Sequence, residues 1–421
     1  MRGVVITKGD IGVNADSNAD KISGLLVNGP AVAAAEGILG VVNGTLYTLE
    51  KVKDAEYLGI NAAYDEDNDV RVYRHITEFF RMAGEGIKLY LIVGTETLTM
   101  KQLITTYGHS MVAESKGEMR RLAVAWNQPA AYAPTYVDGL EEGIRESLAE
   151  AQLLHDWTWD TDRPLNVFLE GRGINGTVAA ILDLREIDDS GTIAEYGNVS
   201  LCIGQDWDYA ESLTGESQKF ADVGTMLGTS AGIAVNQNIG EVETLDISDA
   251  KKLIWLTAGL SNHQKITAVE DDLSDYDDKG YIFGISYTGS TGFRWNYDHT
   301  CTPEIVDVDG FMNENTIALG LTLGKAAREL RKQLLPKVKT VVPVDSETGL
   351  LSTGMVKYFE GLGNVAFDGM AGRGEISGGE TIVDPNSDLL TGDKELKVSF
   401  IVVPTGTIGE IAGTINLKNS L

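Results

Sequence analysis

Hydrophobic and polar positions change period repeatedly along this chain. KISGLLVNG, IKLYLIVG, LAVAWN, LNVFLEG and NVSLCIG are short, nearly continuous apolar runs, as strands buried on both faces are. Between them the apolar positions recur at helical spacing. Over Asp69–Ala83, Val72, Ile76, Phe79, Phe80 and Ala83 fall on one stripe. Gly84 and Gly86 end that helix, as a left-handed cap would, and a strand follows. The stretch EFFRMAGEGIKLYLIVG (Glu78–Gly94) is thus a helix–glycine–strand corner with its Phe pair in the core. Asp138–Leu154 is a second strong helix, with Leu140, Ile144, Leu148 and Ala151 in register. DAEYLGI and TVAAILDLRE predict short helices, and Ser217–Val235 a long one rich in small residues. Strands alternating with helices predict an α/β layer on a parallel or mixed sheet.

The last third differs. GYIFGISYTGSTGFRWNYD predicts a hairpin around Thr288–Thr291. A long helix is expected over Asn313–Leu335, stopped by Pro336. VKTVVPV reads as a strand, Thr348–Glu360 as a helix, ELKVSFIVVP as a strand and GTINLKNSL as a closing β segment. At the other end RGVVITK is a short β segment, and GDIGVNADSNAD a turn-rich link. This part is α+β, with a domain edge expected near Tyr281–Asp309. There are no internal repeats.

At 421 residues the chain is expected to hold two or three domains. No window approaches ~18 uninterrupted apolar residues, so no membrane span is expected. The opening MRGVVITKGD lacks the apolar core of a signal peptide. A net charge of −28 opposes nonspecific nucleic-acid binding, because phosphates are repelled. Cys202 and Cys301 are far apart in sequence, and allow either one disulfide or two separate thiols.

Candidate chemistry is sparse. GRGING (Gly171–Gly176) follows the strand LNVFLE and precedes a helix-like segment. In a dinucleotide site such glycines let backbone amides approach a pyrophosphate. The acid nearest in role, Asp206, lies farther on than the ~20 residues a ribose partner requires, and a plain tight turn is the competing reading. Asp65, Asp67 and Asp69 have calcium-loop spacing but lack the later glycine and acid, and Pro385 and Leu389 spoil the loop around Asp384, Asn386 and Asp388. His75, His109, His155, His263 and His299 never fall at metal-ligand spacing. No serine-elbow, zincin or Cys–His signature appears. One charge feature stands apart. From Glu314 to Thr340 there are six bases and two acids, leaving −32 for the rest of the chain. On a helical wheel Leu319, Leu323, Ala326, Leu330 and Leu334 form one stripe. Lys325, Arg328 and Lys332 lie opposite: an ordinary solvated face, or a docking stripe for an acidic partner.

The order of several segments resembles a known family. LYTLEKVKDAEYLGI is followed by a helix ending in FFRMAGEGIKLYLIV. Then come FADVGTMLGTSAGIAVNQNIGEVETL (Phe220–Leu245) and KGYIFGISYTGSTGFRWNYDHTC (Lys279–Cys301). The long helix before LLPKV and the closing LKVSFIVVPTGTIGEIAGTINLKNSL complete the set. Together they resemble the sheath proteins of contractile phage tails and related injection machines.

That resemblance implies a structural protein with no catalysis and no cofactor. It implies a multi-domain chain: an N-terminal arm (1–20), an outer α/β body (21–290), an α+β tube-facing domain (291–404) and a C-terminal arm (405–421). Copies would form hexameric rings or a helical polymer around an inner tube protein. Baseplate and tail terminator proteins would be further partners, with neither nucleic acid nor membrane insertion. The particle would assemble in a bacterial host cytoplasm and drive its tube through a target envelope. The arms would pair with neighbours through Val4, Val5 and Ile6 and through Thr414, Ile415, Asn416 and Leu417. The receiving strand would carry Val398, Phe400 and Val402, and the tube would meet Lys325, Arg328 and Lys332. The arm here opens RGVVITKG, without the Pro-Gly-Val start common in that family. A single strand at each end leaves unpaired backbone groups that a neighbour's sheet can satisfy; pairing within the same domain is the alternative. A tube or baseplate subunit of the same machine shares this logic, though a tube subunit would be smaller and mostly β.

Overall fold

A computed structural model of the chain describes residues 18–189, 192–391, 394–415 and 417. The chain divides into two compact units, one running to Lys325 and the other from Ala326 onward. The stretch Tyr281–Asp309, where a domain edge was expected, lies inside the first.

The first unit is built on a six-stranded sheet. Its strands are β1 (Ser23–Asn28), β2 (Leu46–Leu49), β3 (Leu89–Gly94), β4 (Arg121–Ala125), β7 (Asn166–Glu170) and β10 (Val199–Cys202). Two-residue ladders pair β5 (Tyr136–Val137) with β6 (Leu140–Glu141), and β8 (Asp188–Asp189) with β9 (Thr192–Ile193). The order is β10-β7-β4-β1-β3-β2, parallel throughout except for the antiparallel edge strand β2. Every residue of β1, β3, β4 and β7 is buried, as the continuous apolar runs predict for a sheet covered on both faces.

The cover comes from helices. They are α1 (Val52–Leu58), α2 (Ala62–Asn68), α3 (Val72–Ala83), α4 (Met100–Glu114), α5 (Glu142–Asp160), α6 (Trp207–Glu211), α7 (Val223–Gly232) and α8 (Leu273–Asp278). A Cβ on Gly24 of β1 would point at Met111 of α4, while Arg121 in β4 reaches Ser230 of α7 (Nε–Oγ 2.7 Å). Ser23, not Gly24, is the register partner of Arg121, so α4 and α7 lie on opposite faces. Around this sheet stand β11 (Gly204–Asp206), β12 (Ala258–Leu260) and β13 (Gln264–Lys265), an antiparallel trio, and the hairpin β14 (Gly284–Ile285) with β15 (Arg294–Trp295). That hairpin is the one expected around Thr288–Thr291.

The corner at Glu78–Gly94 is present, with one difference. Gly84 ends α3 at φ 92° and ψ 151°, a positive-φ conformation that favours glycine but lies outside the left-handed helical cap. Phe79 and Phe80 are both buried and meet edge to face at 5.1 Å. Phe79 sits where α3 meets α7. Gly224, Gly228 and Gly232 recur every fourth residue along α7 and let its backbone approach His75, Phe79 and Met82 of α3. The expected helix over Ser217–Val235 is therefore shorter than its composition suggests, and begins after Asp222.

The second unit holds the C-terminal part of α9 (Ile317–Leu334), then α10 (Thr353–Gly372) and a two-stranded antiparallel sheet of β16 (Ile376–Val383) and β17 (Val398–Pro404). α10 runs well past the Thr348–Glu360 expected. VKTVVPV forms no strand, only an isolated bridge from Val344 to Leu351. Val402 packs on a small core of Ala326, Leu330, Ala366, Phe367, Met370 and Ile376. Val398 packs on a second around Val356, Phe359 and Val383. Phe400 meets Phe367 edge to face at 6.5 Å.

Candidate interaction surface

The glycine turn is closed from within. Gly171 donates its amide to Cys202 O (2.7 Å), and Gly173, at φ 61°, donates to Lys219 O (2.9 Å) and Ser261 O (3.2 Å). Arg172 is buried. It reaches Glu141 (3.3 Å) and the Glu216 carbonyl (2.9 Å), and it also donates to Gln128. A Cβ at Gly173 would collide with Glu141. The segment TVAAILDLRE that follows is a series of turns, not a helix, so no helix N-terminus faces a phosphate here. Asp206 is buried against Arg74 (3.1 Å). The nucleotide reading of this turn therefore loses its geometry: the amides of Gly171, Gly173 and Asn175 are already spent on protein carbonyls.

The buried acids are likewise absorbed by the body. Arg74 of α3 bonds Asp222 (3.1 Å) and Asp206 (3.1 Å), with Glu78 nearby. Thr225 donates to Glu78 (2.9 Å), which also binds Arg81. Burial pushes the Asp222 carboxyl up to about 6 against the pull of Arg74, whose guanidinium is raised well above its ordinary value by its carboxylates. Asp65 accepts the amides of Tyr73 and Arg74 (both 2.9 Å) and so caps α3, and burial lifts it to about 7. This is the structural use of the Asp65–Asp69 stretch. Glu170, at the end of β7, accepts the amides of Trp126 (2.8 Å) and Ala221 (3.0 Å), and burial raises it to about 7. Cys202 and Cys301 are both buried free thiols, and burial pushes Cys301 up to about 12. Among the described residues no group of three or more His, Cys, Asp or Glu is placed to hold a metal ion.

What the molecule leaves open is backbone and aliphatic surface. β17 pairs only with β16 among the described residues. Asp384 N donates to Lys397 O (2.9 Å), so ladder alternation turns the amides of Ser399 and Ile401 toward β16. The amides of Val398, Phe400 and Val402 then face the open edge, while their side chains pack toward α10. Pro404, which has no amide to offer, closes that row. Beyond it, residues 405–415 and 417 form no strand, and Ile408, Ile411, Ile415 and Leu417 are all exposed. Thr414 is exposed as well. Val4, Val5, Ile6 and Asn416 lie outside the described residues.

The basic stripe is divided. Lys325 is buried and its ammonium lies 2.5 Å from Asp20, so it is not part of a solvated face. Arg328 is half-buried and Lys332 exposed. The wheel missed this because α9 changes core along its length. Ile317 and Leu321 join the large core of the first unit, Ala326 and Leu330 the small core of the second, and the buried face shifts between them. Sequence reasoning also missed the Arg74 cluster, whose members are scattered over three segments; the small-residue spacing of Gly224, Gly228 and Gly232 was the one available signal for the seam beside it.

These features define a mixed α/β chain whose buried Arg74 and Arg172 clusters are paired internally and which, among the described residues, leaves a strand edge and an aliphatic tail open. It belongs to the DUF2586 family, whose N-terminal domain matches residues 1–299. No curated protein matches it. Its fold is similar to that of a chain in the cryo-EM structure of the anti-feeding prophage (AFP) baseplate, 6-fold symmetrised. The two share 12% identity at a TM-score of 0.57, over 99% of each chain.

Proposed function

We propose that this protein is a structural subunit of a contractile injection particle, and within it a sheath subunit that polymerises around an inner tube and shortens to drive the tube through a target envelope. The reading is supported by the full-length likeness to a chain of an injection-system baseplate. The observation that carries it is the open edge of β17. A two-stranded sheet is marginal by itself and is completed by an added strand. The exposed aliphatic tail after Pro404 supplies one from a neighbouring copy. A contact between unlike surfaces of this kind propagates into rings or filaments rather than closing at a dimer. The tail and the N-terminal arm at Val4, Val5 and Ile6 are the linking segments, Val398, Phe400 and Val402 the receiving positions. Arg328 and Lys332 face the tube, with Lys325 anchoring the middle of the same helix to Asp20. Assembly takes place in a bacterial cytoplasm, with tube, baseplate and terminator proteins as partners and no catalytic step.

Deleting Thr414–Leu421 tests this. The shortened chain stays folded by circular dichroism but no longer forms rings or tubes in negative-stain micrographs. Normal polymers from the shortened chain would refute the role of the tail. The second reading, a baseplate subunit, is favoured by the identity of the matched particle. It predicts six-membered rings that do not stack into tubes in the same micrographs.

A further inference from the structure

One exposed element is not explained by strand exchange. Residues 303–313 form a finger closed by its own hydrogen bonds. Val306 and Met312 bridge, and Asp307 N donates to Phe311 O (2.9 Å). The Asp307 carboxylate in turn accepts the amides of Asp309 (2.9 Å) and Phe311 (2.8 Å), and Gly310 makes the turn at φ 85°. At the base, Asn313 donates to Pro303 O (2.8 Å) and accepts from Ile305 N (3.0 Å). The finger is thus ordered, yet Val306, Val308, Phe311 and Met312 all face solvent, Val308 at 102% exposure. Ordered apolar groups clustered in water mark a contact surface. Every charge on the finger and its base is negative: Glu304, Asp307, Asp309 and Glu314, with no base between Pro303 and Glu314.

The second unit carries a surface of opposite character. A groove of about 750 Å³ is lined by aliphatic side chains, among them Val338, Val341 and Leu390, all exposed. Among the described residues its charged lining is Lys337, Lys339 and Lys394. An apolar groove whose described charged lining is three lysines favours an acidic, apolar insert.

We propose that the 303–313 finger of one copy docks in the lysine-rimmed groove of a second copy. Val308 and Phe311 enter the groove, and Glu304 and Asp309 meet Lys339 and Lys394. This rests on the assembly reading and adds a second, strand-independent link between subunits. The link is heterologous, because finger and groove are different surfaces, so each copy both gives and receives one.

The test is a crosslink between two single-cysteine variants in the assembled full-length protein, where Cys202 and Cys301 are buried and silent. V308C and V341C are mixed, assembled and oxidised, then resolved on a non-reducing gel. A linked dimer is expected in the mixture and in neither variant alone. A second pair, F311C with V338C, guards against one site misfolding, and circular dichroism checks each variant. K339E/K394E in the groove partner should cut the linked yield at least tenfold, and E304K/D309K in the finger partner should restore it. Rings or tubes that form without either crosslink would overturn the docking while leaving the assembly reading intact. A crosslink from V341C to I411C instead would give the groove to the C-terminal tail and also overturn it. Absence of any species larger than a monomer by sedimentation would overturn both.

Discussion

Gly228→Ala is a sharp probe of how the first unit is held together. In an open helix this change stabilises by about 1 kcal/mol, since alanine is the better helix former. At Gly228 the new Cβ would lie 2.6 Å from Phe79 O and 2.8 Å from Phe79 Cα, both backbone atoms that cannot swing aside. The helices α3 and α7 must part, and overpacking of this kind costs about 1–3 kcal/mol. Parting them also strains the bond from Arg74 of α3 to Asp222 at the start of α7. The net expectation is a loss of about 2 kcal/mol, the clash outweighing the propensity gain. Urea unfolding followed by tryptophan fluorescence reads this cleanly. All six tryptophans precede Lys325, and Trp295 donates to Thr229 of α7 (3.1 Å). Gly143→Ala in α5, where nothing lies within 4 Å of the new Cβ, is the control and should not lower stability. If Gly228→Ala were as stable as the native chain, close approach of α3 and α7 would not be what those glycines provide.

Three further outcomes are expected. Arg74→Met strands Asp222 and Asp206 without their cation, while Glu78 keeps Arg81, and should cost about 3–5 kcal/mol, while R74M/D222N should be less harmful than R74M; equal losses would remove the charge argument. Glu170 is held near 7 in the folded chain against an ordinary 4.5, so its contribution is fully present below about pH 4.5 and lost as pH rises through 7. Relative to E170Q, the native chain should therefore lose about 3 kcal/mol of unfolding free energy between pH 4.5 and about pH 8, and a pH-independent difference would contradict the buried-acid assignment. R328E/K332E should reduce the yield of tube-loaded particles, with the native contact itself weakening as salt rises, and an unchanged yield would dismiss the stripe as a docking surface.

The buried sheet was legible because its strands are apolar on both faces and carry no competing helical period. The corner after Phe80 was legible from its glycines. TVAAILDLRE was not, because its apolar residues do serve the core: Val178, Ile181 and Leu184 are all buried, but from turns rather than a helix. VKTVVPV has strand composition without a partner to pair with, and composition alone cannot supply one. The division of the chain inside α9 was hidden because a helix that serves two cores in succession still reads as one amphipathic stripe. Lys325 was misplaced for the same reason: its burial depends on Asp20, some three hundred residues away in sequence. Val398, Phe400 and Val402 were singled out by the family resemblance as receiving positions, and that role is a proposal; the hydrogen-bond direction at Asp384 turns their amides to the open edge of β17.

The most direct test of strand exchange is amide hydrogen exchange across Val398–Val402, compared between assembled protein and isolated subunit. Strand addition predicts that the outward amides of Val398, Phe400 and Val402 become strongly protected on assembly, while those of Ser399 and Ile401, already bonded to β16, change little. Outward amides that exchange as fast in the assembled particle as in the lone subunit would contradict it.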